Sequence, residues 1–425
     1  MVDSAGVNGR PATRRQDRAA GRAPGPPAGP LAGVRVLELG TLIAGPFMGR
    51  LLADFGADVI KAEPPGTGDP MREWGIHRYR GRGLWWPLQS RNKRLITLDL
   101  KQGEGQALCR RLAAEVDVLT ETFRPGTMEA WGLGPADLLA VNPRLVMARV
   151  SGFGQTGPYA RRPGFAAVGE AMGGLRYVNG YPGQVPPRAG VSLGDSLAAM
   201  FAVQGVLMAL YHRDVGGGPG QVVDASILEG CFAMLDSTVP EYGKLGVVRG
   251  PSGSRIANAS PSNTYRTRDG RLVVIAANAD GIFRRLCAAM GRPELADDDR
   301  FASHWARSQN DAELDALVAA WALERDAAEI GRLLDEAGVV TGPVYSIADI
   351  FGDPHVQARE MLCRVPDPEL GDLVMPAPVP KLSETPASIR WPGGWDLGQH
   401  NDEVYGELLG LDSAELGRLR GAGVI

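Results

Sequence analysis

The hydrophobic pattern centres on a run without any charged residue, from Leu197 to Leu210. The run is long enough for a buried helix and too short to span a bilayer. Gly194, Asp195 and Ser196 precede it. Asp195 fits two roles: an N-cap that accepts hydrogen bonds from first-turn amides, or a carboxylate nucleophile on a turn where Gly194 leaves room for a substrate. The run alone favours the N-cap, because Asp and Ser commonly start helices.

Shorter apolar runs alternate with helical patterns over the first 150 residues. This alternation indicates a doubly wound α/β domain with a parallel sheet, in which ligands bind beyond the carboxyl ends of the strands. The turn after the first strand lacks the G-x-G-x-x-G pattern, so neither NAD nor FAD binding is predicted. The predicted strands cover 31–40, 58–63, 94–100, 118–123 and 145–150, and the helices between them include 45–55 and 104–116.

Length and pattern changes predict two domains, because 425 residues are too many for one compact core. The first segment is rich in Arg, Ala, Gly and Pro and has no apolar run, which predicts a disordered tail. The predicted segments are the tail (1–30), the first part of a large α/β domain (31–225), a linker helix (226–250), a small α+β domain (251–346) and a Pro-punctuated last segment (347–425).

Composition narrows the function classes. The net charge of −4 and a charged fraction of 22% are typical of a soluble globular protein and favour neither a nucleic-acid surface nor a membrane protein. The four cysteines lie far apart in apolar or helical contexts, which predicts reduced core thiols and a cytoplasmic protein. The five histidines show no metal-ligand spacing, so no metal site is predicted.

Ten short motifs are distributed over the chain from Leu31 onwards. Each is weak alone, but together their order and spacing resemble the class III coenzyme A transferase family. That family includes formyl-CoA and carnitine-CoA transferases and the related α-methylacyl-CoA racemases. The motifs are 44–46, 51–61, 66–69, 92–94, 98–101, 123–126, 151–158, 194–195, 220–224 and 398–404.

The resemblance implies a Rossmann-like large domain built from both chain ends, a smaller inserted domain and an interlocked homodimer. It also implies an enzyme that moves CoA from an acyl-CoA donor, with succinyl-CoA as a candidate, to a carboxylic acid. Coenzyme A is then a substrate, and no other cofactor is expected. The resemblance assigns the nucleophile to Asp195, which would pass through an aspartyl anhydride and an aspartyl thioester.

Further site residues follow from the same resemblance. Gly194 adjoins the nucleophile, and its amide could stabilise an oxyanion. Gly253, in the loop 250–254, corresponds to a glycine-rich loop that closes over the aspartate. The residues expected to contact CoA are Ile43, Ala44, Leu98, Lys101, Thr122, Phe123, Arg124 and Arg162.

Two alternative functions stay open. The first is 2-methylacyl-CoA racemisation, which needs an acid/base pair, but Ala166 and Asn263 stand where the racemases have their acids. The second is a partner subunit of a heteromeric CoA-transferase. Glu170 stands where the family often has Gln, and either senses the acyl tail or is a helix-surface acid. Arg188 and Arg255 could pair with the second carboxylate of a succinate-like acid.

Overall fold

The computed structural model describes residues 29–255 and 259–425, and the chain divides into two compact units. Among the described residues, the large unit contains those from 29 to Leu175, Ala189–Asp236 and Glu360–Ile425. The small unit contains Arg176–Arg188 and Ser237–Arg359. The small unit is therefore longer than the predicted 251–346 and includes a separate stretch before the run at Leu197. Of the predicted tail, residues 1–28 lie outside the described residues.

Thirteen strands and eighteen α-helices were assigned in the described residues. The strands are β1 (Arg35–Glu38), β2 (Asp58–Glu63), β3 (Arg78–Tyr79), β4 (Arg82–Gly83), β5 (Lys93–Thr97), β6 (Val118–Glu121), β7 (Val146–Ser151), β8 (Val222–Ser226), β9 (Ser262–Arg266), β10 (Leu272–Ala276), β11 (Val340–Pro343), β12 (Leu362–Asp367) and β13 (Gly371–Pro376). The helices are α1 (Ala44–Asp54), α2 (Trp85–Ser90), α3 (Gly103–Ala114), α4 (Thr127–Ala130), α5 (Pro135–Val141), α6 (Ala166–Met172), α7 (Leu175–Val178), α8 (Leu193–Asp214), α9 (Ile227–Phe232), α10 (Thr238–Leu245), α11 (Asp280–Ala289), α12 (His304–Gln309), α13 (Asp311–Leu323), α14 (Ala327–Glu336), α15 (Ile347–Gly352), α16 (Pro354–Ala358), α17 (Asn401–Leu409) and α18 (Ser413–Gly421).

The large unit is built on a six-stranded parallel sheet with the order β5-β2-β1-β6-β7-β8. Counted along the chain, this is the 3-2-1-4-5-6 order of the Rossmann fold. The predicted α/β fold with a large parallel sheet is confirmed. The strand order reverses between β1 and β6, and the loops after these two strands diverge there. The crevice that binds ligands in such folds lies at this reversal, beyond the carboxyl ends of the strands.

Both faces of the large sheet are covered, which explains why its strands read as nearly continuous apolar runs. One core joins strand residues to α1 and α8, with Met48 and Val206 among its buried side chains. The other core combines Leu37 and Ile60 from the sheet with Tyr405 of α17 and other residues near the end of the chain. The segment from 360 onwards is therefore part of the core of the large unit.

The small unit has its own core around an antiparallel sheet in the order β11-β10-β9. Buried Phe283, Phe301 and Trp321 fill the space between that sheet and its helices. The prediction of one continuous linker helix over 226–250 is wrong, because α9 ends at Phe232 and α10 begins at Thr238. Asp236, between them, has a positive φ of 47° that an α-helix does not allow.

Helix α8 extends the predicted apolar run to 22 residues. By length and composition alone the whole helix is long and apolar enough to cross a membrane; the run from Leu197 to Leu210, which is expected to be too short for this, is its central part. Its small side chains, Ala198, Ala199 and Ala202, are buried in the large unit. Met208 and Tyr211, on another face, are exposed. The packing is that of a helix with one face in a protein core.

Candidate active site

Asp195 lies inside the first turn of α8 and does not occupy the N-cap. The helix begins at Leu193, so the N-cap residue is Ser192 and Asp195 is the third helical residue. The hypothesis that Asp195 is the N-cap residue of this helix is therefore wrong. The first turn of a helix carries partial positive charge, which stabilises an ionised carboxylate there. Asp195 is half-buried, so its carboxylate combines partial access with electrostatic support.

Gly194 is enclosed by neighbouring helices of the large unit. A Cβ atom there would lie 3.0 Å from Ile227 Cγ2, 3.1 Å from Glu170 Cγ and 3.4 Å from Cys231 Sγ. The amide of Gly194 donates a hydrogen bond to Glu170 Oε1 at 3.2 Å. The missing side chain thus makes room for α6 and α9, and the amide that was predicted to face an oxyanion is already bonded.

Glu170 is a buried residue, with 4% of its surface exposed. The interpretation as a helix-surface acid is therefore wrong. Burial, together with the charges of Glu170 and Asp195, raises the pKa of the Cys231 thiol to about 11. Both carboxylates are close enough to Cys231 to disfavour a thiolate, so Cys231 is a neutral packing residue at pH 7. The sequence pattern missed this grouping, because the three side chains come from three separate helices.

A cavity of about 390 Å³ lies in the large unit, beyond the carboxyl ends of β1, β2, β5 and β6. Three of the eight predicted CoA contacts, Leu98, Lys101 and Phe123, line it. Trp131, which no motif indicated, lines it as well and meets Phe123 edge-to-face with 5.1 Å between the ring centroids. The cavity therefore has an aromatic wall and an exposed lysine at the sheet edge where ligands of this fold bind.

The other five predicted contacts are not in the lining of this cavity. Ile43 and Ala44 are buried in the cores of the large unit. Thr122 accepts a hydrogen bond from the Thr41 amide through Oγ1, at 3.2 Å. Arg124 is exposed. Arg162 is also exposed, and its guanidinium lies 4.3 Å from the centroid of the Tyr159 ring.

The loop between β1 and α1 is held by a buried ion pair that hydrophobic patterning does not predict. Lys61 is fully buried, and its Nζ lies 2.8 Å from Asp69 Oδ2 and donates to the Gly40 carbonyl at 2.8 Å. Asp69 Oδ1 accepts the Leu42 amide at 3.1 Å. Burial alone would raise the pKa of Asp69, but the Lys61 ammonium outweighs it and lowers that pKa below 3.8. The pair holds Leu42 at a positive φ of 65°, next to the cavity-lining Thr41.

Gly253 belongs to the small unit, where its amide donates to the Gly180 carbonyl at 2.8 Å. Its φ is 75°, and a Cβ there would lie 3.0 Å from the Tyr181 ring. Only glycine fits both constraints. The predicted loop 250–254 is thus anchored to the stretch around Gly180; residues 256–258, just beyond it, lie outside the described residues.

The second predicted carboxylate-binding residue is engaged within the small unit. Arg255 lies 2.7 Å from Asp311 Oδ2 and 3.2 Å from Asp315 Oδ2. A substrate carboxylate would have to compete with these two acids. Arg188, also of the small unit, is exposed. Asn263, at the racemase position, donates its side-chain amide to Asp315 at 2.8 Å and is not a base.

Comparisons with known proteins identify the family of this chain. The family model described as CoA-transferase family III matches residues 31–401. The chain is similar to a succinyl-CoA–D-citramalate CoA-transferase of Chloroflexus aurantiacus, with 54% identity over 94% of this chain and 99% of that protein. It is also similar to the beta subunit of a succinyl-CoA–L-malate CoA-transferase of the same organism, with 43% identity over 93% of this chain and 98% of that protein.

Solved structures give the same result. A CaiB/BaiF family protein from Brucella suis superposes with a TM-score of 0.79 at 33% identity, covering 90% of this chain and 100% of that one. A structure from Mycobacterium tuberculosis gives a TM-score of 0.78 at 30% identity, covering 88% of this chain and 99% of that one. In sequence and in fold alike, this chain belongs to the class III CoA-transferase family and is a CoA-transferase.

Proposed function

We propose that this enzyme transfers CoA from succinyl-CoA to a short hydroxylated dicarboxylic acid of the citramalate or malate type. The observation that carries this is the 54% identity to a succinyl-CoA–D-citramalate CoA-transferase over nearly the full length of both chains. A second relative with malate in its name, at 43% identity, supports the same class of acceptor. Racemisation has no support, because neither Ala166 nor Asn263 can take up an α-proton.

The proposed nucleophile is Asp195. Its carboxylate attacks the thioester carbonyl of succinyl-CoA; a C–O bond forms, the C–S bond breaks, and a mixed anhydride and CoA thiolate result. The thiolate then attacks the aspartyl carbonyl, which releases succinate and leaves CoA on Asp195 as a thioester. The acceptor carboxylate and the thiolate repeat these two steps in reverse, which yields the new acyl-CoA and free Asp195. Each step exchanges one activated acyl bond for another, so the acyl group stays activated throughout and one difficult transfer is divided into easier ones.

The cavity beside β1 and β5 is the proposed binding place for the nucleotide end of CoA. Its aromatic pair, Phe123 and Trp131, suits an adenine ring, and the exposed Lys101 suits a phosphate. The buried Lys61–Asp69 pair supports this role, because it fixes the loop next to the cavity.

The proposed assembly is a homodimer in the cytoplasm. Large apolar side chains on the outer face of α8, including Met208 and Tyr211, are exposed in the single chain, and a second copy would cover them. Relatives named as alpha and beta subunits of one enzyme make a heteromer the alternative. Unpaired, buried Cys109, Cys231 and Cys287 suit a reducing compartment.

The nucleophile is tested with the variants Asp195→Asn and Asp195→Ala. Wild-type protein incubated with succinyl-CoA should carry an acyl or CoA adduct, sensitive to hydroxylamine, on the peptide that contains Asp195. Both variants should fold, since losing a charge in a first turn costs only about 0.3–1 kcal/mol. Both should lack the adduct and all CoA transfer, measured by mass spectrometry and by acyl-CoA chromatography.

The matched control is Asp137→Asn, because Asp137 is the third residue of α5 and accepts the Gly134 amide there. It should keep wild-type turnover. An Asp195→Asn variant that transfers CoA at a wild-type rate, once deamidation has been excluded, would remove Asp195 from the mechanism.

A further inference from the structure

We propose that Glu170 is a positioning residue that holds the start of α8, and with it the Asp195 carboxylate, in one orientation during CoA transfer. The proposal rests on the proposed role of Asp195 as nucleophile. Glu170 acts on Asp195 through the preceding residue, Gly194.

The first amides of a helix have no partner inside that helix and need acceptors from elsewhere. An N-cap side chain usually supplies one. Among the described residues, however, the Ser192 side chain accepts no such bond. Glu170, on the separate helix α6, accepts the Gly194 amide at 3.2 Å instead. Glu170 thus caps α8 from outside, at the residue immediately before the nucleophile.

Close packing makes this arrangement rigid. The Cβ that Gly169 lacks would lie 3.0 Å from Ile227 Cβ, and the one that Gly230 lacks would lie 3.3 Å from the Ala198 amide nitrogen. Together with Gly194, these glycines let α6, α8 and α9 approach at backbone distance. The Gly194 amide therefore cannot turn to another acceptor without moving a helix.

The reaction explains why the orientation matters. Asp195 is attacked once as an anhydride and once as a thioester, and both nucleophiles must approach the face of the same carbonyl carbon. A misplacement of about 1 Å in such a geometry can slow a reaction on the order of 100-fold. A fixed acceptor under Gly194 keeps the Asp195 backbone in place while its side chain changes partners.

Two conservative variants separate the acceptor from the charge. Glu170→Gln keeps the side-chain length and an oxygen that accepts the Gly194 amide, but loses the charge. Glu170→Asp keeps the charge, but its carboxylate is one methylene short of the amide. Glu170→Gln should keep kcat within about 3-fold of wild type. Glu170→Asp should lose on the order of 100-fold in kcat, with the KM for succinyl-CoA changed by less than about 3-fold.

The control is Asp367, another buried carboxylate of the large unit that accepts backbone amides, from Glu369 and Leu370. Asp367→Asn should keep wild-type kcat and KM, and circular dichroism checks that every variant is folded. Wild-type kcat in Glu170→Asp would overturn the proposal, as would loss of kcat in Glu170→Gln alone, which would make charge the important property. An Asp195 adduct in wild-type protein, measured in parallel, shows whether the nucleophile assignment itself holds.

Discussion

At the scale of single residues, a hydrogen bond from the edge strand β5 favours the neutral form of the His400 side chain. Its Nδ1 accepts a hydrogen bond from the Leu95 amide in the edge strand β5 at 2.8 Å. This bond requires Nδ1 to be unprotonated. Burial lowers the pKa of His400 below 6.5, and the Arg94 charge adds to that effect while Glu403 opposes it.

The stability of the protein should therefore fall in mild acid. Because the pKa of His400 is lower in the folded than in the unfolded chain, the unfolded chain binds more protons between the two values. The contribution of His400 is complete above about pH 6.5 and is lost as the pH falls through the folded-state pKa. His400→Asn places an amide oxygen near the Leu95 amide and does not titrate.

Urea midpoints at pH 7.5 and pH 5, at one protein concentration, check this prediction. The urea midpoint should fall less between pH 7.5 and pH 5 in His400→Asn than in wild type. The same exchange at the exposed His77 should leave the drop unchanged. Equal drops in wild type and His400→Asn would show that His400 does not contribute to the acid sensitivity.

At the scale of elements, α1 approaches the sheet through a glycine that faces buried charges. A Cβ at Gly49 would overlap Glu38 Oε2 and would lie 3.2 Å from Lys93 Nζ. Glu38 and Lys93 are fully buried, and their charged atoms lie 2.7 Å apart. Glu38 also binds the buried Lys61 ammonium, at 3.1 Å, so moving its carboxylate would weaken its pairing with two buried lysines, and the helix itself would have to shift.

Gly49→Ala should therefore destabilise the protein, although alanine is the better helix former by about 1 kcal/mol. Overpacking of this kind costs about 1–3 kcal/mol. The matched control is Gly331→Ala, in the interior of α14, where a Cβ would meet open space. That variant should be as stable as wild type or up to about 1 kcal/mol more stable. Urea unfolding of both variants measures the difference, and similar free energies of unfolding would contradict it.

The elements of the sheet were largely predictable, whereas their charged contacts were not. The strand over 58–63 was predicted at its observed limits, because buried parallel strands form continuous apolar runs. The same strand contains Lys61, a residue type that patterning assigns to the surface. Its partners Glu38 and Asp69 come from other parts of the chain. Periodicity describes one element at a time, so it does not reveal such pairs.

The candidate site likewise combines residues that could be predicted with contacts that could not. The resemblance led to Asp195, and it led to three of the residues that line the cavity. The bond from the Gly194 amide to Glu170 joins positions 24 apart in the sequence, and no pattern connects them. The break between α9 and α10 was missed because both halves have helical composition.

At the scale of the whole molecule, the exposed face of α8 leads to a prediction about assembly. Met208 and Tyr211 expose 62% and 68% of their surfaces, which is costly for large apolar groups on one helix. Light scattering should give about 90 kDa, twice the 45.1 kDa of one chain. Met208→Lys with Tyr211→Lys should shift the mass towards one chain.

The control for this experiment is Ile76→Lys. Ile76 does not belong to α8, and 92% of its surface is exposed. That variant should keep the wild-type mass. A wild-type mass of one chain at micromolar concentration would contradict the homodimer.

The place of the last segment in the large unit also sets an order of events during synthesis. The five strands β1, β2 and β5–β7 are complete when the ribosome has passed Ser151, but one face of their sheet is covered by Val404, Tyr405 and Leu419. At about 5–20 residues per second, the residues from 237 to 425 take roughly 10–40 s to emerge. The small unit can fold within that interval. The face of the large sheet that packs against α17 and α18 stays uncovered during the same time. We therefore expect the nascent chain to need protection by chaperones until α17 and α18 have emerged, and slow codons in the segment 237–400 to prolong its exposure to aggregation.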